Sequence, residues 1–264
     1  MIVIPMAGKS RRFIEAGYQL PKFELLVADR TLFYWSVASF RQYFAQERFL
    51  FVLNKAHDAR DFVLNQCAML GIRHVEIVEI SEDTRGQAET VAVGLQGISY
   101  NDSESLIIFN VDTIRPAYAF PDKAALSDGY IETFHGEGDG WSFVMPAAAD
   151  GCRVQYTTEK VRISDHCSTG LYYFGSIRTY MNTYRNIVDT QLSLFLQKWK
   201  ELYIAPMYNL LIEQGHRIDF HEIPKQAVIF SGIPREYEDL LIDTVAKAKL
   251  CNMLQAAENP VIQA

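Results

Sequence analysis

Hydrophobic and polar positions follow two alternating rhythms through the first half of the chain. Residues 2–5 form a short apolar run, the pattern of a buried strand. A polar stretch follows, then a helix-like pattern over residues 32–44. Residues 48–53 (RFLFVL) read as a second strand. Asp58 is placed to cap a helix in which Val63, Cys67 and Leu70 recur at helical spacing, with Gly71 as its stop. Residues 74–80 (HVEIVEI) alternate with period two, as a half-exposed strand does. Thr84-Arg85-Gly86-Gln87 has the form of a capping box and predicts a helix from Gln87 to about Leu95. Residues 105–112 (SLIIFNVD) give an apolar strand that ends in a carboxylate.

Strand and helix alternating in this order imply a parallel sheet with helices on both faces. The second half is less regular. Residues 141–146 and 169–174 read as strands, and 177–185, 192–202 and 205–214 as helices, the last stopped by Gly215. Short strands are predicted at 217–223 and 227–230. A terminal helix over 236–257 would bury Leu240, Leu241, Val245, Ala248 and Met253. No repeat, low-complexity stretch or Pro/Gly/Ser linker separates the halves. The expected fold class is α/β: a mostly parallel, Rossmann-like sheet covered on both faces, extended by a mixed second half. Residues 1–264 are read as a single domain.

Composition narrows the function. Of 264 residues, 49% are hydrophobic and 22% charged, which excludes disorder and collagen-like or disulfide scaffolds. The net charge is −7, and an acidic chain is a poor partner for nucleic acid. No apolar run approaches the roughly 20 residues that span a bilayer, so no membrane insertion is expected. The apolar stretch of the N-terminus precedes its basic residues, the reverse of a signal peptide, which points to the cytoplasm. Cys67, Cys152, Cys167 and Cys251 form no CxxC pair and are expected to be buried small hydrophobes.

One segment reverses the sign of the chain. From Lys9 to Lys22 there are four basic residues and one acid, Glu15. This segment follows strand one, and open α/β sheets bind ligands at the carboxyl ends of their strands. A glycine at position 8 suits close approach of backbone to phosphate, and successive N–H groups make an anion-binding nest. Neither the Walker A pattern nor the dinucleotide GxGxxG is present. Asp112 should lie on the same sheet edge, where one carboxylate beside bound phosphates can hold Mg²⁺.

These motifs together carry a resemblance. Ala7-Gly8-x-x-x-Arg12-Phe13, then Gly17-x-x-x-Pro21-Lys22, then Gly86-Gln87-Ala88, then a strand ending in Asp112, resemble the sugar-phosphate nucleotidyltransferase superfamily in kind and order. Thr158-Glu159-Lys160 is similar to that family's E-K element, residues 168–174 (STGLYYF) to its N-T-G-I-Y-x-F strand, and residues 232–237 (GIPREY) to its G-T-P-E-x-Y turn. The resemblance covers about residues 1–240.

It implies transfer of a nucleoside monophosphate: a phosphorylated acceptor attacks the α-phosphorus of an NTP and pyrophosphate leaves. It implies a nucleotide-binding half (1–115), an acceptor-binding half (116–235) and a C-terminal helix (236–264). Ala7, Gly8, Lys9, Ser10, Gly86 and Gln87 would contact the nucleotide, and Arg12 the triphosphate. Lys22 would sit between the acceptor phosphate and the α-phosphate, and Asp112 would bind Mg²⁺ as cofactor. Glu159, Lys160 and Thr169 would hold the acceptor. The whole chain resembles capsule-locus cytidylyltransferases acting on a non-sugar phosphate such as phosphoglutamine. That favours CTP as the nucleotide and surface-polysaccharide synthesis as the setting. A sugar-1-phosphate acceptor with a uridylyl, thymidylyl or guanylyl donor is the nearest alternative. A glycosyltransferase of related fold and a non-catalytic nucleotide-binding module are the others.

Two positions depart from the pattern. The family loop carries a second glycine where this chain has Ser10, which either resists a positive φ or uses its hydroxyl on phosphate. The family's second metal ligand precedes the closing turn by two residues, where this chain has Phe230, leaving Asp219 or Glu222 as candidates. The segment His135-Gly-Glu137-Gly-Asp139-Gly reads as a glycine-rich turn near the acceptor pocket rather than a metal site, because it lacks a ligand spacing. His166 reads as a polar loop residue.

Overall fold

The computed structural model describes residues 1–122, 127–148 and 151–258, and a nine-stranded sheet organises them. Its strands are β1 (Ile2–Met6), β2 (Arg48–Asn54), β3 (His74–Ile80), β4 (Leu106–Phe109), β5 (Gly129–His135), β6 (Ser142–Pro146), β7 (Val154–Glu159), β8 (His166–Phe174) and β9 (Ile218–Glu222). The spatial order is β7-β6-β8-β4-β1-β2-β3, and β5 branches from β8 and carries β9 on its other edge. β1, β2, β3 and β4 run parallel. β8 runs antiparallel to β4 and joins the two halves in one sheet. This is the expected mostly parallel sheet with a mixed extension.

Alternation along the strands explains the two layers. Ile2, Ile4 and Met6 of β1 enter one core, and Val3 enters the other. Phe49, Phe51 and Leu53 of β2 divide from Leu50 and Val52 in the same way. Side chains of a strand point to opposite faces with period two, so a fully buried strand must be apolar throughout. The first face is covered by α2 (Leu32–Ala38), α3 (Arg60–Leu70), α8 (Pro234–Ile242) and α9 (Thr244–Glu258). The second is covered by α4 (Gln87–Gln96), α5 (Ile177–Asn186) and α7 (Met207–Glu213). The remaining helices are α1 (Arg11–Glu15) and α6 (Leu192–Trp199).

Several boundaries differ from expectation. α2 stops at Ala38, and a single 3₁₀ turn (Arg41–Tyr43) completes the predicted stretch. Asp58 does not cap α3; it takes a left-handed conformation (φ 48°) that closes a preceding turn, and Ala59 is the cap. Gly71 ends α3 at φ 75°, as predicted. Thr84 forms no capping box with Gln87. Glu89 instead accepts the Arg85 N–H at 2.5 Å, and the helix opens at Gly86. The terminal helix breaks at Asp243, whose ψ of 104° is extended. The break resets the helical phase, so Leu240, Ala246 and Leu250 are buried while Leu241, Val245 and Ala248 are exposed. β5 and β7 fall in segments without a clear period-two signal. Cys67 and Cys167 are buried, but Cys152 and Cys251 are exposed because they lie in a loop and on the outer side of α9.

One glycine is required by packing. A Cβ at Gly94 in α4 would stand 2.3 Å from Val52 Cγ2, a β-branched side chain locked in β2. Gly94→Ala should therefore destabilise the fold by about 1–3 kcal/mol. A lowered urea midpoint with unchanged slope is the expected observation.

Candidate active site

β1 has β2 on one side and β4 on the other, so the chain reverses its direction of travel across the sheet at β1/β4. The connection after β1 leads to α2 on the first face and the connection after β3 to α4 on the second, which leaves a crevice at the carboxyl ends. A cleft of about 660 Å³ occupies that position. Ala7, Gly8, Lys9, Lys22, Gly86, Gln87 and Asp112 all line it. Five basic and three acidic side chains face it, a positive balance inside a chain of net −7.

The loop after β1 is shaped by Ser10 rather than by Gly8. Ser10 sits at φ 51°, ψ 31°, the left-handed region that glycine would otherwise supply. Its hydroxyl accepts the Lys22 N–H at 3.4 Å, tying the loop to the Pro21-Lys22 segment. So Ser10 keeps the positive φ and spends its hydroxyl inside the protein. A Cβ at Gly8 would meet nothing within 4 Å, so that glycine faces open space. Arg11 lines the cleft, whereas Arg12 is exposed outside the lining. The five-residue helix α1 fixes this choice, because adjacent helical residues diverge by about 100°.

Lys22 and Asp112 meet across the cleft, Nζ to Oδ2, at 2.5 Å. Their side chains are 23% and 18% exposed, so the pair is reachable by a ligand yet partly desolvated. Asp112 lies in the turn beyond β4, three residues past its last paired residue. Its carbonyl accepts from both the Ser231 N–H and hydroxyl at 2.9 Å. The carboxylate beside it is Glu236: a Cβ at Gly232 would lie 3.0 Å from Asp112 Oδ2 and 3.6 Å from Glu236 Oε2. Glu236 also accepts the Gly232 and Ile233 N–H groups at 2.8 and 3.3 Å, capping α8. Burial pushes its carboxyl up, partly offset by those two hydrogen bonds. The other candidates for a second acid are engaged elsewhere, Asp219 with Arg217 and Glu222 with His135 and His166. Phe230 has an apolar reason to be where it is, its ring lying 5.0 Å from Phe134 and 4.7 Å from Trp141.

The opposite wall was visible in the sequence at Gly86 and Gln87 alone, not at Lys200 and Glu201. Gly86 takes φ 147°, and a Cβ there would come within 2.6 Å of the Leu202 backbone. This close approach lets Leu202 bond both the Arg85 carbonyl and the Ala88 N–H at 2.8 Å. It holds Lys200 and Glu201 against the cleft. Lys9 reaches Asp83 on this side at 2.5 Å, and Gln87 donates to Asn110 Oδ1 at 2.5 Å.

The residues expected for the acceptor are not on the cleft lining. Glu159 is buried at the end of β7, where it accepts from the Ser142 hydroxyl, itself 3.1 Å from the Tyr172 hydroxyl. Lys160, at φ 55°, reaches the Tyr203 hydroxyl at 2.5 Å, two residues beyond Glu201. Thr169 is buried and donates to Glu132 at 3.1 Å, behind the site. Glu132 forms a buried pair with Arg115 at 3.0 Å, which the sequence did not suggest.

No protein-family model and no curated protein matches the chain. Solved structures do. A nucleoside-diphosphate-sugar pyrophosphorylase from Vibrio cholerae RC9 is 47% identical, with 92% of this chain and 100% of that chain covered and a TM-score of 0.87. The inositol-1-phosphate CTP transferase from T. maritima is 12% identical over 96% of this chain and 95% of that one, TM-score 0.70. A UDP-glucose pyrophosphorylase from Acinetobacter is 14% identical over 96% and 98%, TM-score 0.63. The last two likenesses are likenesses of fold.

Burial is the main cause that raises the Glu159 carboxyl, with the Ser142 hydrogen bond working against it. The folded value lies above the unfolded one, so the native state holds the proton longer. Stability contributed by the protonated form is lost as pH climbs through the carboxylate range. Between about pH 4 and about pH 7 the denaturation midpoint of the wild type should fall relative to that of Glu159→Gln. Parallel pH profiles would contradict this.

Proposed function

The chain belongs to the sugar-phosphate nucleotidyltransferase superfamily, and from that premise we propose that it moves a nucleoside monophosphate from an NTP to a small phosphorylated acceptor. It is an enzyme of the pyrophosphorylase type. The observation that carries the reading is the Lys22–Asp112 contact in a cleft shared with the β1–α1 loop.

The chemistry asks for little covalent help. An acceptor phosphate oxygen attacks the α-phosphorus, the bond to the bridging oxygen of the β-phosphate breaks, and pyrophosphate departs. Two anions must approach, so positioning and charge neutralisation dominate. Lys22 is the ammonium between the two phosphates. Lys9, Arg11 and the backbone N–H groups of residues 7–11 receive the departing pyrophosphate portion. Gln87 and Gly86 border the base and ribose. The acceptor lies toward Glu159, Lys160 and Tyr203, with Thr169 supporting that wall from behind.

Asp112 and, beside it, Glu236 fit a hard divalent cation, because Mg²⁺ takes one or two carboxylates and fills its shell with phosphate and water. When bound, Mg²⁺ supplies charge neutralisation at the phosphate oxygens. No helix among the described residues is long and apolar enough to cross a membrane. On the sequence resemblance CTP is the favoured donor and capsule or other surface-polysaccharide synthesis the setting. The identity to a nucleoside-diphosphate-sugar pyrophosphorylase supports a sugar phosphate as acceptor equally well.

A pyrophosphate-release screen of CTP, UTP, dTTP, GTP and ATP against phosphorylated sugars, amino-acid amides and choline tests the proposal. Release is expected only when one NTP and one phosphorylated acceptor are both present, and to stop on chelation and resume with Mg²⁺. Nucleotide binding without release would favour a non-catalytic module.

Lys22→Ala and Asp112→Asn should each lower turnover at least ~100-fold through lost charge stabilisation in the transition state. Lys22→Arg should also be poor, since a planar fork places its charge differently from a point ammonium. Wild-type rates in folded variants would contradict both assignments.

A further inference from the structure

β5, β8 and β9 end together at the far side of the extension, and three side chains unused by the proposed reaction meet there. His135 closes β5, His166 opens β8 as its direct antiparallel partner, and Glu222 closes β9 beside β5. Glu222 Oε2 is 3.0 Å from His135 Nε2 and 2.9 Å from His166 Nδ1. All three atoms lie within 4.8 Å of one another. We propose that His135, His166 and Glu222 form a site for one divalent transition-metal ion of the zinc class, which clips the ends of the three strands together.

The spacing suits such an ion. Zinc bonds to imidazole and carboxylate of ~2.0–2.2 Å place tetrahedral ligand atoms roughly 3.3 Å apart. The three donors need shift by only tenths of an ångström to about one ångström to reach that separation. A plain ion pair explains the cluster less well. His166 Nδ1 is buried and, although 2.9 Å from the carboxylate, makes no aligned hydrogen bond with it. Donor atoms converging without a proton aimed between them are arranged for a cation. The second imidazole rules against Mg²⁺ or Ca²⁺, which prefer oxygen, and suits Zn²⁺, Co²⁺ or Ni²⁺. His135 is 60% exposed, so the fourth position is open to water.

The site is separate in composition from the cleft, whose lining includes none of the three residues. β9 pairs with β5 along its length and is bridged on its other side by residues 152–153, through the Phe220 N–H to Cys152 carbonyl bond and the Arg153–Asp219 bridge, so a clip at Glu222 would fasten the end beyond those contacts.

Cobalt titration of the full chain, read by visible absorption, tests the site, with Zn²⁺ affinity measured against a chromophoric chelator. One equivalent of Co²⁺ with tetrahedral bands is expected, displaced by Zn²⁺. His166→Ala and Glu222→Gln should each weaken Zn²⁺ binding roughly 100-fold or more, since even outer-shell losses cost 10–100-fold. Asp112→Asn and Cys152→Ser/Cys251→Ser should leave it unchanged. Saturating Zn²⁺ should raise the thermal midpoint of the wild type by about 5 °C and that of Glu222→Gln hardly at all. Absence of saturable binding to the wild type, or binding undiminished in the His166 and Glu222 variants, would overturn the proposal.

Discussion

A parallel strand with parallel neighbours on both sides is the constraint on which this molecule depends. β1 pairs with β2 and β4 in the same direction, and the crossovers lie on opposite faces, α2 after β1 on the first and α4 ahead of β4 on the second. Neither crossover can cover the gap between them. Everything in the cleft uses that gap: the loop after β1 lines it from the first face, the segment leading into α4 lines it from the second, and the turn carrying Asp112 stands at the end of β4. The cores on the two faces fix the distance between these loops, because each strand is locked by side chains packed above and below it.

The charges in the cleft are held in exchangeable pairs. Lys9 is matched with Asp83, Lys22 with Asp112 and Arg85 with Glu89. Lys9–Asp83 is the exposed one of the three, and such pairs contribute little to stability, on the order of 0–1 kcal/mol. Lys9 can therefore turn to a phosphate at small cost, while the paired acids offset the repulsion among the basic side chains of the cleft. Asp112 gains most from such an exchange, since release of Lys22 leaves a carboxylate ready for a cation. Tight backbone contacts at Gly86 and Leu202 keep the opposing wall rigid through that exchange.

Much of the sheet was legible in the sequence because buried strand stretches such as residues 49–53 have no polar positions to blur them. The site was legible where its residues follow strands directly, as Gly8 and Asp112 do, and at Lys22 through the Pro21-Lys22 motif. Other features depend on partners far along the chain. Nothing local marks Lys200 and Glu201 as cleft residues, because the Gly86–Leu202 backbone contact brings them there. Ser10 shows the limit of reading a glycine motif by composition, since the left-handed conformation persists without the glycine. Phe230 reads as a missing acid, yet in three dimensions Glu236 stands beside Asp112 and Phe230 fills an apolar cluster. The break at Asp243 escaped periodicity because both helices on either side are amphipathic, but in different phase.

The central claim is spatial: one nucleotide tail lies between the β1–α1 loop and Asp112. A crystal structure of the full chain grown with Mg²⁺ and a non-hydrolysable NTP tests it directly. The account requires the triphosphate against the N–H groups of residues 7–11, with Lys22 turned from Asp112 to the α-phosphate and the cation on Asp112. A nucleotide bound elsewhere, with the Lys22–Asp112 contact intact, would contradict it.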